Sequence, residues 1–210
     1  MEHWRTGRES LVKIKLYIEG GGDGPELDQS FREGWTAFFV NAGFEGRMPR
    51  PVRGKGRKRT YDLYQTALRN RKPNELPLLL VDSEDLVGEG RTEWAHLKER
   101  DGWERPSGAM DEDVFLMVCC METWFLADRE ALKRFFHDCW RDNALPQWPN
   151  LEAISKDMVF EKLALATAVC GKKAYAKGKR SFEILKVIDP AIVEAKCPGA
   201  KRLLDRLRTN

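Results

Sequence analysis

No apolar run in this chain approaches the roughly 18 residues that a membrane-spanning helix needs. The sequence therefore predicts no membrane partner. Histidine is scarce: His3, His96 and His137 are scattered, with no pair four residues apart, which argues against a zinc hydrolase. None of the five cysteines forms a C-x-x-C pair. The odd count and the lack of a signal peptide predict a reducing, cytoplasmic setting. Cys119 and Cys120 sit inside an apolar run and read as small hydrophobes. Nucleotide fingerprints are missing too. Gly20-Gly-Gly-Asp-Gly24 lacks the third glycine spacing of a dinucleotide loop, and Gly54-Lys-Gly-Arg-Lys-Arg-Thr60 is not a P-loop. No G-x-S-x-G elbow or papain-like cysteine context occurs, and no internal repeat or low-complexity tract.

What is present is charge, unevenly spread. Charged residues make up 33% of the chain, yet the net charge is only +3, too small to argue for nucleic acid by itself. The stretch from Arg50 to Lys72 is strongly basic, Asp82 to Asp113 is mostly acidic, and a second basic stretch covers Lys172 to Arg180. Such polarisation suits a phosphate-rich partner, although solvated loops and helix faces explain either basic stretch taken alone. The seven tryptophans fall mostly on apolar helix faces and read as core; Trp103, in a polar loop, is the exception.

The order of elements reads β-α-β-α-β-α-β-α followed by helices, an α/β layer with a mostly parallel sheet of about four strands. The strands are expected at Val12–Ile18, Arg47–Val52 (a weak edge strand with two prolines), Leu76–Val81 and Val114–Met121. The first helix starts near Pro25 behind an Asp23/Glu26 capping box and buries Leu27, Phe31, Trp35, Phe38 and Phe39. Thr60 is placed to cap the second, and a short third is expected over Thr92–Arg100. Another begins near Glu122, with Asp128 breaking it or capping its continuation. Pro146–Pro149 reads as a linker between an α/β domain, residues 1–145, and a C-terminal helical extension, residues 150–210, packed on it. The extension shows three helical patterns: Ser155–Val169, Ser181–Ile188, and Pro190 onward.

The informative pattern is acidic residues at strand ends. The first strand stops at Glu19 before three glycines, the third at Asp82-Ser-Glu-Asp85, the fourth at Glu122. Ligands of open α/β sheets bind at the carboxyl ends of the strands. Carboxylates crowded there repel one another unless a cation offsets the charge, which predicts a divalent-metal site. Hard cations such as Mg²⁺ take oxygen ligands. Asp82 and Glu84, two apart in extended chain, share a side, and Asp85 replaces Glu84 if strand geometry has already ended. The bland alternatives are a solvated turn for Glu19, an acidic turn for Glu84 and Asp85, and a first-turn helix glutamate for Glu122. Helix capping is sufficient explanation for Asp23.

Tyr17-Ile-Glu-Gly-Gly-Gly-Asp23 and Leu80-Val-Asp-Ser-Glu-Asp85 resemble the Toprim pattern, a glutamate after the first strand and a D-x-D after a later one. Topoisomerases, primases and overcoming-lysogenization-defect nucleases share that fold. Met117-Val-Cys-Cys-Met-Glu-Thr-Trp-Phe-Leu-Ala-Asp128 resembles, more narrowly, a Toprim-related bacterial family catalogued as domain of unknown function 4276. Its members often lie beside AAA-type ATPases in phage-defence loci. Tyr175-Ala-Lys177 and Cys197-Pro198 extend the resemblance along the chain. It implies a Toprim-like fold and Mg²⁺- or Mn²⁺-dependent phosphodiester chemistry. Catalytic roles fall to Glu19, Asp82 and Glu122, and metal ligation to Glu19, Asp82, Glu84 or Asp85, and Glu122. Glu84 stands where the pattern has its second aspartate, a departure. Arg53, Lys55, Arg57, Lys58 and Arg59 are expected to hold a DNA or RNA backbone, with Lys177 or Lys179 near the leaving oxygen. An AAA-type ATPase is the implied partner, and a homo-oligomer stays open. The rival expectations are a non-catalytic subunit docked on such an ATPase and a small-molecule phosphohydrolase.

Overall fold

A computed structural model describes residues 12–22 and 24–209. Alternating apolar side chains build its sheet. Along the first and third strands, Ile14, Leu16, Ile18, Leu76, Leu78 and Leu80 enter one hydrophobic cluster, while Tyr17, Leu79 and Val81 enter a second on the opposite face. The strands are β1 (Lys13–Ile18), β2 (Arg50–Arg53), β3 (Glu75–Asp82) and β4 (Val114–Met117). All three pairings are parallel, in the order β2-β1-β3-β4. Pro51 sits on the edge strand, where a missing N–H is tolerated.

The chain leaves β1 for β2 on one side and returns to β3 on the other. The carboxyl ends of β1 and β3 therefore flank a topological switch point. Helix α1 (Pro25–Asn41) packs on the first face, where Trp35 and Phe38 meet Trp124 at ring-centroid distances of 5.9 and 5.6 Å. Helices α2 (Arg57–Arg69) and α3 (Glu93–Asp101) cover the other face through Tyr61, Tyr64, Trp94 and Leu97. Beyond β4 come α4 (Glu122–Ala127), α5 (Arg129–Phe136), α6 (Lys156–Ala166), α7 (Lys179–Leu185), α8 (Pro190–Lys196) and α9 (Pro198–Arg208). Side chains of α6 to α9, such as Leu163, Phe182, Val193 and Leu204, belong to the same cluster as α1 and the sheet. The result is the expected parallel α/β sheet flanked by helices, with a helical C-terminal part, an arrangement consistent with a Toprim-like fold. Among the described residues, no helix is long and apolar enough to cross a membrane.

Several local expectations change. β4 ends at Met117 instead of Met121, because Cys119 turns into the left-handed region with φ 60°. Its N–H donates to Ser83 Oγ at 2.6 Å, so hydrogen bonding to the loop after β3 replaces the ladder. Thr60 does not cap α2. Gly56 holds that place, and Thr60, one turn inside, donates its hydroxyl to the Gly56 carbonyl at 2.6 Å. A Cβ on Gly54 would lie 1.8 Å from Thr60 Oγ1, so glycine is required there. Asp23 and its capping box lie outside the described residues, and Gly24 is the N-cap of α1. Asp128 ends α4 and caps α5 by accepting from the Ala131 N–H at 3.0 Å. The last expected helix is two, divided at Cys197-Pro198. Cys139 and Cys170 are joined in a disulfide, which a uniformly reducing setting does not predict; Cys119, Cys120 and Cys197 are free and buried.

Candidate functional site

Glu19 is the first residue after β1, and its N–H still donates to the Leu80 carbonyl at 3.0 Å. This bond fixes its backbone beside β3. Asp82 closes β3, and Glu84 follows two residues later with φ 69°, a conformation costly for a residue bearing a Cβ. Hydrogen bonds to the end of β4 and the turn after it hold that conformation. The Ser83 and Glu84 N–H groups donate to the Met117 and Cys119 carbonyls at 2.9 and 3.0 Å, and the buried His96 ring lies 2.9 Å from the Ser83 carbonyl. One consequence is that carboxyl oxygens of Glu19, Asp82 and Glu84 lie within 4.8 Å of one another. Asp85 does not join them. It is exposed and meets the Arg100 guanidinium at 3.1 Å.

Electrostatics follows from this crowding. Asp82 is buried, and burial together with the nearby Glu19 and Glu122 pushes its carboxyl up to about 8. Its Oδ1 accepts from the Met121 N–H at 3.0 Å. Burial also raises Glu19, against the opposing pull of Arg57. The Arg57 guanidinium donates to Glu19 Oε2 at 2.9 Å, to the Asp82 carbonyl at 2.6 Å, and as a fork to both Asp101 oxygens at 2.8 and 2.7 Å. Trp103 lies beneath it, 5.1 Å from ring centroid to guanidinium, and is stacked on Tyr61; the loop tryptophan is thus packed. Lys156, the first residue of α6, places its ammonium 2.6 Å from Glu84 Oε1 and 3.6 Å from Asp82 Oδ2.

Glu122 is separated from the end of β4 by the turn 118–121 and opens α4, almost wholly buried. It is outside the tight three-carboxylate group but lines the same cavity as Glu19 and Asp82. The Tyr175 hydroxyl donates to its Oε1 at 2.6 Å and the Ser181 hydroxyl at 3.2 Å, while its Oε2 is buried without a hydrogen-bond partner. Burial and the adjacent Glu122 drive the Tyr175 phenol far above its ordinary range, so it keeps its proton and serves as donor.

The basic residues divide into two kinds. Arg53 turns inward, donating to Asp28 at 2.5 Å and to the Gly21 and Gly22 carbonyls at 2.6 and 2.7 Å, and so shapes the glycine loop. Arg57 is committed to Glu19 and Asp101. Lys55 pairs with Asp28 at 3.1 Å. Lys58 and Arg59 face solvent on the first turn of α2, Lys58 beside Asp62. Lys177 is exposed at the cavity, its ammonium 5.4 Å from the Phe160 ring centroid, and Lys179 is exposed at the start of α7.

Sequence reasoning missed Lys156 and Ser181 entirely and gave Tyr175 no role. Ser155 marks a helix start, but nothing in the pattern aims the next side chain at the strand end at Asp82. As a donor set, three carboxylates with no nitrogen or sulfur ligand fit a hard divalent cation.

The chain belongs to the family described as a domain of unknown function (DUF4276), whose model matches residues 19–208. No curated protein and no solved structure matches it.

Proposed function

We propose that this protein is a Mg²⁺- or Mn²⁺-dependent, phosphodiester-cleaving protein of Toprim type, acting on DNA or RNA with an AAA-type ATPase in anti-phage defence. The observation that carries the chemistry is the convergence of Glu19, Asp82 and Glu84 at the switch point, oxygens within 4.8 Å. Those three would hold the ion, and Glu122 lines the cavity beside them. A bound divalent cation would supply charge neutralisation at a phosphate and activation of water. The chain's own groups do the rest. Arg57 orients Glu19, Met121 N–H orients Asp82, and Lys177 offers a positive charge where the cavity meets solvent. Lys58 and Arg59 lie free of the core to meet a phosphate backbone. The genomic partner and the defence role rest on the resemblance alone.

One observation favours the rival, a non-catalytic Toprim-like subunit: Arg57 and Lys156 already neutralise much of the carboxylate charge without any metal. Incubation with plasmid, single-stranded DNA and tRNA in Mg²⁺ or Mn²⁺, with and without EDTA, separates the two. Cleavage that EDTA abolishes, and that Glu19→Gln and Asp82→Asn both lose, is the expected result. Intact substrates even with the neighbouring ATPase present would leave the docking subunit.

A further inference from the structure

Beside the three carboxylates lies a cavity of about 320 Å³. The glycine loop Gly20–Gly22 forms one wall and the start of α7 another. Its lining includes Leu27, Met117, Met121 and Phe182, so most of its surface is apolar. That volume is at the small end of ligand pockets, enough for one ring system and not for a stretch of polymer. A nucleic-acid duplex is convex and stiff and has no way into such a recess; only a residue freed from its stack enters.

Glu122 supplies the second observation. Tyr175 and Ser181 hold Oε1, which fixes the carboxyl, and Oε2 is buried with no donor. Leaving a polar oxygen buried and unmatched opposes folding. Such a group asks for a partner that the chain does not supply: a water, an ion or a ligand. The nearby cations do not complete it: Lys156 is engaged with Glu84 and Asp82, and Arg57 with Glu19 and Asp101. The gap is therefore shaped for an apolar, flat group carrying an N–H or O–H on its edge, joined to an anion lying toward the metal-type carboxylates and Lys177.

We infer that this cavity seats a single unpaired nucleotide of the substrate. Its base lies against Leu27, Met117, Met121 and Phe182, and one of its donors bonds Glu122 Oε2. The substrate class is then a single strand or a strand end, and not closed duplex. The inference rests on the phosphodiester reading above and adds the substrate to it.

Isothermal titration of the full chain in Mn²⁺ tests it with adenosine 5′-monophosphate, ribose 5-phosphate and inorganic phosphate as probes. The nucleotide should bind at least tenfold more tightly than ribose 5-phosphate. Leu27→Trp, which fills the cavity from a partly exposed position, should bring the nucleotide down to the level of ribose 5-phosphate. Glu122→Gln should also weaken the nucleotide, and Leu27→Trp should bind Mn²⁺ alone as the parent does. Equal affinity for the nucleotide and ribose 5-phosphate in the unaltered protein overturns the inference, with no need for either variant to fold. So does nucleotide binding that Leu27→Trp leaves untouched. The two readings fail separately. Metal-dependent cleavage without nucleotide binding removes the pocket and keeps the nuclease. Nucleotide binding that Leu27→Trp abolishes, in a protein that neither binds Mn²⁺ nor cleaves, keeps the pocket and removes the nuclease.

Discussion

The ammonium of Lys156 lies 2.6 Å from Glu84 Oε1, and Asp82 Oδ2 is 3.6 Å away. A residue from the C-terminal helices thus supplies a cation to carboxylates from the sheet. Burial would lower the Lys156 ammonium, but its hydrogen bond to Glu84 and the charges of Asp82 and Glu84 outweigh it and raise it, so the group stays charged. A tethered cation in this position competes with a free one.

Lys156→Met should therefore tighten divalent-ion binding. The aliphatic stem remains, the charge goes, and a like charge at this range is worth about one to three pK units, each a factor of ten. Titration with Mn²⁺ should show a Kd at least about tenfold lower than the parent's. An unchanged or weaker Kd would mean that Lys156 does not compete and that the ion sits elsewhere. Without metal, the same variant should be less stable, because Asp82 and Glu84 lose their compensation.

The raised carboxyl of Asp82 gives a pH signature. Its folded-state value, about 8, stands above the ordinary value of 3.8 that it has in the unfolded chain. The folded chain holds this proton more tightly, so the group's contribution to stability is complete below the unfolded value and lost as pH climbs through about 8. Burial is the first cause, then Glu19 and Glu122, with Lys156 and Lys177 opposing. Metal-free protein should lose stability across that window, and Asp82→Asn should flatten the loss, since Asn keeps an acceptor for the Met121 N–H. At a pH above 8, without metal, the variant should melt higher than the parent by at least about 2–4 °C, the worth of 1 kcal/mol in a chain of this size. Millimolar Mn²⁺ should reverse the order. Scanning calorimetry over pH, with and without Mn²⁺, decides this; a parent that melts higher at every pH without metal would contradict it.

The basic loop before α2 predicts opposite phenotypes for neighbouring residues. Arg57→Ala strands Glu19 and Asp101, both mostly shielded from water, and should cost about 2–3 kcal/mol. Arg57→Lys recovers little, since an ammonium cannot reproduce the fork. Lys58→Ala and Arg59→Ala, on the exposed turn, should change stability by less than about 0.5 kcal/mol. If Lys58 and Arg59 meet phosphates, each should reduce the slope of log affinity against log salt by about 1. Denaturant melts and salt-dependent binding to single-stranded DNA check both halves, and an Arg59→Ala variant with an unaltered slope would remove that residue from the interface.

The legible parts of this molecule are those fixed by local pattern. Glu19 and Asp82 were readable because a strand's alternation and the glycines after it locate a strand end without tertiary knowledge. Glu84 could not be separated from Asp85 by pattern. The choice depends on the left-handed turn at Glu84, which the bonds from the Ser83 and Glu84 N–H groups to the Met117 and Cys119 carbonyls hold. β4 was read four residues too long because its sequence is apolar throughout, while the bond from Cys119 N–H to Ser83 Oγ that ends it comes from another element. The pattern gives Arg57, with its basic neighbours, to a nucleic-acid backbone; only the fold shows that Glu19 and Asp101 need it. Lys156 and Ser181 reach the site through helix packing and Tyr175 through the segment before α7, where spacing along the chain carries no signal.

The Cys139–Cys170 disulfide links the turn after α5 to the segment that leads into Tyr175 and Lys177. It closes a sequence separation of 31 residues, and a loop of that length is worth about 2–4 kcal/mol when cross-linked. Thiol counting under denaturing conditions should find three free thiols in the oxidised protein, Cys119, Cys120 and Cys197, and five after reduction. Reduction, or Cys170→Ser, should lower the melting temperature and loosen the segment that holds Glu122 through Tyr175. The second effect is separable from the first. Amide exchange should rise across residues 168–178 while the strands β1 and β3 keep their protection, because their N–H groups are held by the parallel ladder. Five free thiols in protein purified without reductant would refute the bond, and a uniform rise in exchange would refute the local effect.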